Sequence, residues 1–343
     1  MEKAPIVDSQ PGKTSMGLDN LFLQKLEHIQ NFSVRQANVL AEAVTLGIWA
    51  NTYVISDLDR PTPVLNAKKP TEVPTPVFLV REESNCCARL CCPGNQSFLA
   101  KVFHAKMEPV AGKTHCGCCY EGHKYEPDLT QPVAMTLERE GCCSRCLGCF
   151  VCCDMCAQHM YMHPGEVDVK PGTTVKEEGG YFARTRQPIG AGGFHPQLEL
   201  YTNETPEAKE TPFAYFDGPC LYGGWLGVCF DTIFRISSEP KGSGDLGQIK
   251  KNRIKSFKEF CIAALTDVDW FEVNLPDDHA KIGPEQKAAI LGTALQLDYM
   301  LYENDLPPCY VEPNDKGAII YCVLCQMFCF GGRIPCEICI PIE

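Results

Sequence analysis

The sequence predicts a mainly β protein organised around one buried helix, and three observations carry that expectation. From Thr52 onward the chain runs in short alternating stretches, TYVIS, PVFLV, SFLAKVF and TIFRIS, punctuated by Pro, Gly and Asn. That is the pattern of half-buried strands bounded by turns, in a sheet, sandwich or barrel. Residues 288–302 are an apolar run broken by Gln296 and Asp298, and a helix apolar on nearly every side has to be buried. Ahead of the strands, Leu18, Leu21, Phe22, Leu26, Ile29 and Phe32 recur at roughly helical spacing, so one or two amphipathic helices should lead the domain.

Taken in order, residues 1–15 are polar with Pro and Gly and are expected to be a flexible N-terminus. Residues 16–303 form the domain, and its 343-residue chain with 45% hydrophobic content can bury a sizeable core. Stretches 106–131 and 164–193 read as long exposed loops. The first is an insertion with Cys116, Cys118 and Cys119 beside His115 and His123. The helix at 284–303 starts with Pro284 at a favourable first position. As a membrane span it is poor: its apolar run reaches about 22 Å against a hydrocarbon core near 30 Å, and a mid-helix Asp adds roughly 3 kcal/mol. Burial within the β structure is expected instead. Residues 304–343 are a cysteine-rich tail whose segment IIYCVLCQMFCF is also too short to span. It should pack on the domain or lie in an interface.

A formal charge of -12 excludes a protein that lives on phosphates, because nucleic-acid binding needs clustered Lys and Arg. The same charge repels an anionic leaflet, so membrane residence would need an acyl chain, a buried segment or a bridging cation. The N-terminus MEKAPIVDSQPGKTS has no apolar signal region, and a cytosolic start is expected. In that reducing compartment the 23 cysteines should not form a disulfide framework. The eight histidines form no recognisable nucleophile motif beside the thiols, so hydrolysis finds little support.

The densest cluster is GCCSRCLGCFVCCDMC, residues 141–156, with Cys142, Cys143, Cys146, Cys149, Cys152, Cys153 and Cys156. Two chemistries fit it. Cys143, Cys146, Cys149 and Cys153 have the spacing of a ferredoxin run, although Asp154 replaces its proline. Tetrahedral zinc is open too, with Cys86, Cys87, Cys91 and Cys92 as further ligands. S-acylation is the other chemistry: it needs accessible thiols beside apolar residues, which Leu147, Phe150, Val151 and Met155 supply.

TDVDWFEVNLPDD, residues 266–278, fits a twelve-residue calcium loop with Asp267, Asp269 and Asp278 as carboxylates and Phe271 and Val273 as carbonyls. Glu272 replaces the usual turn glycine, so weak affinity is expected, roughly 10⁻⁴ to 10⁻³ M. The competing reading makes WFEVNL a strand with acidic residues in the flanking loops.

GLDNL, NCCARLCCPG, MTLERE, DGPC, LTDVDWFEVNLP and KAAILGTALQLDYMLYE occur in an order and spacing that resemble the phospholipid scramblase family over about residues 16–303. The resemblance implies a tubby-like closed β-barrel of about twelve strands around a central hydrophobic helix, a helix also described in the family as a single-pass anchor. It implies palmitoylation at the seven cysteines and a calcium segment at Asp267, Asp269, Phe271, Val273 and Asp278. It further implies calcium-responsive, ATP-independent movement of phospholipids in both directions at the cytosolic face of a membrane, the plasma membrane first. A lipid-binding scaffold that moves no lipid is the alternative, and the insertion and tail are candidate surfaces for protein partners.

Overall fold

Alternation along the strands becomes a sheet that closes on itself. The computed structural model describes residues 17–36, 51–63, 72–84, 97–109, 119–120, 123–139, 151–152, 156–167, 180–203, 211–254, 270–276, 282–302, 308–314 and 317–342. The strands are β1 (Asn31–Gln36), β2 (Thr52–Pro63), β3 (Glu72–Ser84), β4 (Phe98–Pro109), β5 (Cys119–Tyr120) and β6 (His123–Pro127). They continue with β7 (Met135–Arg139), β8 (His159–Pro164), β9 (Ala183–Arg186), β10 (Gln197–Thr202), β11 (Ala214–Asp217) and β12 (Leu221–Tyr222). The last are β13 (Thr232–Ser237), β14 (Gly247–Lys251), β15 (Trp270–Asn274), β16 (Cys309–Asn314), β17 (Gly317–Cys329) and β18 (Gly332–Ile342).

Antiparallel neighbours run β3-β2-β1-β15-β14-β13-β11-β10-β9-β8-β7-β4, and β3 pairs back onto β4 from Phe78↔His104 to Ser84↔Phe98. Closure satisfies both edges of the twelve-stranded barrel. Period-two alternation sends one face of each strand inward: Thr232, Phe234 and Ile236 of β13 are buried while Ile233 and Arg235 face out.

The interior is filled by helix α3 (Pro284–Leu297) and a π-helical turn at Asp298–Tyr302. Residues 288–302 are all buried, so the apolar run lies inside the β structure, and the fold is the tubby-like barrel around a central helix. Helix α1 (Asn20–Glu27) begins at Asp19, whose carboxylate accepts from the Phe22 amide at 3.1 Å. It buries Phe22, Leu23 and Leu26, and Phe22 meets Phe78 edge-on at 4.9 Å. The C-terminal carbonyls of α1 are taken by the barrel helix: Lys287 Nζ donates to Leu26, Glu27 and Ile29 O at 3.1, 3.0 and 2.7 Å. Burial pulls the pKa of this lysine below its ordinary value.

Helix α1 is shorter than the helical spacing suggests, because Phe32 falls on β1, where Phe32 and Val34 point to the core. The long-loop reading of 106–131 is corrected: β4 runs on to Pro109, and β6 pairs with its end from Ala105↔Pro127 to Pro109↔His123. Stretch 164–193 likewise contains β9. The tail residues from Cys309 to Ile342 form a sheet of their own, β16 and β18 flanking β17, with β12 joined at Leu221↔Met327. Helix α2 (Gly224–Cys229) lies against β17, and Arg333 Nη1 donates to Leu301 O at 3.1 Å.

Candidate functional site

The barrel holds its helix by close packing at mid-length and by buried polar bonds toward its C-terminal end. Gly292 brings α3 against the wall, since a Cβ there would lie 2.7 Å from Met162 Cε. Toward the C-terminal end, Tyr53 Oη donates to Asp298 Oδ2 at 2.6 Å and Tyr299 Oη donates to Glu82 Oε2 at 3.0 Å. Thr185 donates to Gln296, and the Arg139 guanidinium sits 5.8 Å from the Phe98 ring and 6.0 Å from that of Tyr299. Glu82, Arg139 and Asp298 are all buried. Charges removed from water are tolerable only when hydrogen-bonded or paired, and here those bonds fasten helix to wall. The interior is a filled core.

Chemistry is offered on the outside, where three chain segments meet at the β17–β18 turn. The Val151 amide donates to Phe330 O at 2.8 Å, the Gly190 amide to Val151 O at 2.7 Å, and the Phe330 amide to Gly193 O at 2.7 Å. Gly331, at φ 94°, is required there: a Cβ would lie 2.6 Å from Val151 Cγ2. Around this knot Ile189 (72%), Phe194 (50%) and Phe330 (41%) are exposed, with Phe194 edge-on to Phe330 at 5.5 Å. Cys152, next to Val151, is exposed as well. An accessible thiol therefore sits beside large apolar side chains, the surroundings S-acylation requires.

Of the other cluster cysteines, Cys156 is buried with its Sγ 3.9 Å from that of Cys152. Cys142, Cys143, Cys146, Cys149 and Cys153 lie outside the described residues. In the acidic run, Phe271 and Val273 lie on β15 with buried side chains, between β1 and β14. Asp267, Asp269 and Asp278 lie outside the described residues.

The zinc or iron–sulfur alternative is overturned. A closed tetrahedral site needs four converging ligands, and among the described residues no three His, Cys, Asp or Glu side chains form a metal-binding group. The described cluster thiols divide between surface and core. Cys86, Cys87, Cys91 and Cys92 lie outside the described residues.

Beside the tail sheet is an open cleft of about 800 Å³ lined by Leu221, Phe230 and Ile233 together with Asp217, Arg235 and Lys241. Its two acids are partly spoken for: Asp217 accepts from Gln197 and from the Lys241 amide, and Asp231 from the Arg253 amide at 2.8 Å. The cleft carries both signs of charge and an apolar wall. Sequence reasoning missed it, since its residues come from turns and outward strand positions that leave no motif. It also missed Lys287, a single lysine within an apolar helix.

These features define a tubby-like barrel with a filled interior and an apolar, thiol-bearing outer rim. Among the described residues no helix is long and apolar enough to cross a membrane. The chain is similar to phospholipid scramblase 1 of Mus musculus, 26% identical over 227 residues that cover 66% of this chain and 51% of the relative. The rat protein is 26% identical over 66% of this chain and 50% of its own, and the human protein 24% over 66% and 53%. The chain thus spans about half the length of the curated relatives it matches. No family model and no solved structure matches it.

Proposed function

We propose that this chain is a scramblase-like, lipid-engaged barrel protein that moves phospholipids both ways across a bilayer, without ATP, in response to calcium. The observation that carries the reading is the similarity to phospholipid scramblase 1 over 227 residues, borne by a chain whose interior is filled by its own apolar helix. Membrane residence at a cytosolic face would come from thioesters at Cys142, Cys143, Cys146, Cys149, Cys152, Cys153 and Cys156, because a charge of -12 gives no attraction to anionic lipid. Calcium would act through the carboxylates of Asp267, Asp269 and Asp278. Phe271 and Val273, whose carbonyls would complete the set, sit on a strand paired on both sides, where each carbonyl keeps a second lone pair.

The test is reconstitution into vesicles with fluorescent phospholipid in both leaflets and a membrane-impermeant quencher outside. The reading expects quenching to pass the outer-leaflet half only when protein and millimolar calcium are both present. A second reading, a lipid-bound scaffold that moves nothing, is favoured by the sealed interior. Vesicle binding with quenching stopped at one half would establish it and remove the first. Hydroxylamine release on protein from its native membrane, with mapping of the freed thiols, tests the anchor.

A further inference from the structure

Two strands of the tail sheet carry cysteines directly opposite one another. Cys309 on β16 faces Cys322 on β17, and their Sγ atoms lie 3.4 Å apart. The ladder fixes what kind of pair this is. One step along it the Val323 amide donates to Pro308 O at 2.9 Å, so residues 308 and 323 occupy a hydrogen-bonded position. Positions alternate along an antiparallel pair, which makes Cys309 and Cys322 a non-hydrogen-bonded pair, the kind whose Cα atoms approach to about 4.5 Å. A disulfide spans Cα separations of roughly 4.4–6.8 Å. The two sulfurs can therefore be joined without a change of register.

Neighbouring side chains hold that register. On the other face the next pair, Tyr310 and Tyr321, stacks with ring centroids 4.8 Å apart and planes 7° from parallel, and Tyr310 Oη donates to Glu337 Oε1 at 3.2 Å. Among the described residues one other pair of cysteines is opposed in register, Cys325 and Cys336. Burial first, and then the bond to Cys336, pushes the Cys325 thiol up to about 11, which leaves little thiolate at neutral pH. Cys309 by contrast is exposed, on an edge strand of the sheet. The paired thiol first, and burial second, hold Cys322 above its ordinary value, so Cys309 is the sulfur that an oxidant meets first.

We propose that Cys309 and Cys322 are a redox modification site, at which a small-molecule disulfide of the glutathione disulfide type forms a cross-strand disulfide that staples β16 to β17. The Cys309 thiolate attacks one sulfur of the oxidant, forming a mixed disulfide and expelling one small thiolate. Cys322, having given up its proton, then attacks Cys309 Sγ, forming the protein disulfide and expelling the second small thiolate. Both protein protons end on the two released thiols, and two electrons pass from the protein to the oxidant. Because the two sulfurs start 3.4 Å apart, the second step is intramolecular and gains from a high effective concentration. The staple closes residues 309–322 into a covalent ring on β16, the described element that follows the barrel helix in the chain. The sheet it fastens is itself bonded to the barrel helix through Arg333 and Leu301 O. In a reducing compartment the pair rests as thiols, and a rise in oxidant is the signal that locks the edge strand. The inference goes beyond the lipid reading and does not depend on it.

The experiment equilibrates the full, reduced chain with glutathione and glutathione disulfide in varied ratio near neutral pH, quenches with acid, alkylates the remaining thiols and maps tryptic peptides by mass. Cleavage at Lys316 separates the two cysteines, so the bond appears as two joined peptides, 288–316 and 317–333, and fragmentation assigns it to Cys322. Half-formation should need at least about tenfold less glutathione disulfide than modification of Cys339 does, because Cys339 is exposed but opposed by Tyr321 and has no second thiol across the ladder. In Cys322→Ser, Cys309 should instead accumulate as the glutathione adduct. Amide exchange at residues 310–312 of the wild type should slow at least about tenfold on oxidation and recover on reduction. Wild-type mapping keeps the test decisive even where the variant fails to fold. A wild-type Cys309 that stops at the glutathione adduct, bonds to a different cysteine, or oxidises no more readily than Cys339 overturns the proposal. So does a disulfide that leaves exchange on β16 unchanged, because it then staples nothing.

Discussion

Tyr53→Phe isolates the bond that fastens the barrel helix to its wall. Tyr53 is 1% exposed and Asp298 3%, and the phenol donates to the carboxylate at 2.6 Å. Phenylalanine keeps the ring and its edge-on packing against Tyr299 at 5.8 Å, so the change removes a donor without opening a cavity. A buried hydrogen bond to a charged acceptor contributes about 1.5–3 kcal/mol, and the carboxylate loses this donor without gaining water. We expect destabilisation of about 2–3 kcal/mol. With a urea slope of about 3 kcal/mol/M, the unfolding midpoint falls by about 0.7–1 M. Tryptophan fluorescence follows the transition, and the cycle with Asp298→Asn assigns the coupling to this pair. A midpoint shift below about 0.2 M with an unchanged slope would show that the tether contributes nothing.

Two further changes probe the ends of the molecule. His104 is buried, with Nδ1 3.1 Å from Lys25 Nζ and Nε2 3.4 Å from Asp19 Oδ2. Burial first and the Lys25 charge second push its pKa below the ordinary 6.5. Below about pH 6.5 the unfolded chain therefore takes up a proton that the folded chain refuses, and stability falls as pH drops toward the lowered folded pKa. Melting temperatures between about pH 7.5 and 5 should fall more steeply for wild type than for His104→Phe, and parallel slopes would discard the assignment. At the other end, Gly224 has φ 52° and a Cβ there would lie 2.5 Å from the Val323 carbonyl oxygen. Gly224→Ala combines left-handed strain of about 1–2 kcal/mol with a backbone clash. It should loosen the tail sheet, seen as faster tryptic cleavage at Arg333; an unchanged rate would mean that α2 does not hold the sheet.

The barrel strands and the buried helix are legible in the sequence because alternation and an all-apolar run are local patterns set by burial. Phe234, Phe271 and Ile290 announce their faces without help from the rest of the chain. Closure is not legible from the residues: the Phe78↔His104 pairing that joins β3 to β4 is a register choice, and the family resemblance supplies the barrel. The end of α1 is misread because Ile29 and Phe32 continue a helical spacing while Phe32 and Val34 also begin an alternating one. The tail sheet carries an unread signal. FGG at 330–332 separates two apolar runs, consistent with a hairpin, but the run before it is so continuously apolar that its period is hidden. Among the described cluster thiols, accessibility separates Cys152 from Cys156, and no spacing rule distinguishes them.

On the proposed reading, the filled barrel limits how calcium would act. Expelling the helix would expose Ile290, Leu291, Leu295, Leu297, Tyr299, Met300, Leu301 and Tyr302, each at most 5% exposed now. At about 1.5–3 kcal/mol per side chain the cost exceeds roughly 12 kcal/mol, comparable with the whole stability of a typical domain. Calcium at about a hundred times its dissociation constant supplies about 2.7 kcal/mol. Binding of that strength can shift a surface element but cannot empty the barrel into water, so we expect calcium-dependent lipid movement to run along the outside with α3 in place. Hydrogen exchange on the vesicle-bound protein tests this directly. Amides of residues 288–297 should stay protected when millimolar calcium is added, while exchange changes stay outside the barrel. Release of α3 within minutes of calcium addition would refute the argument and return the helix to the centre of the mechanism.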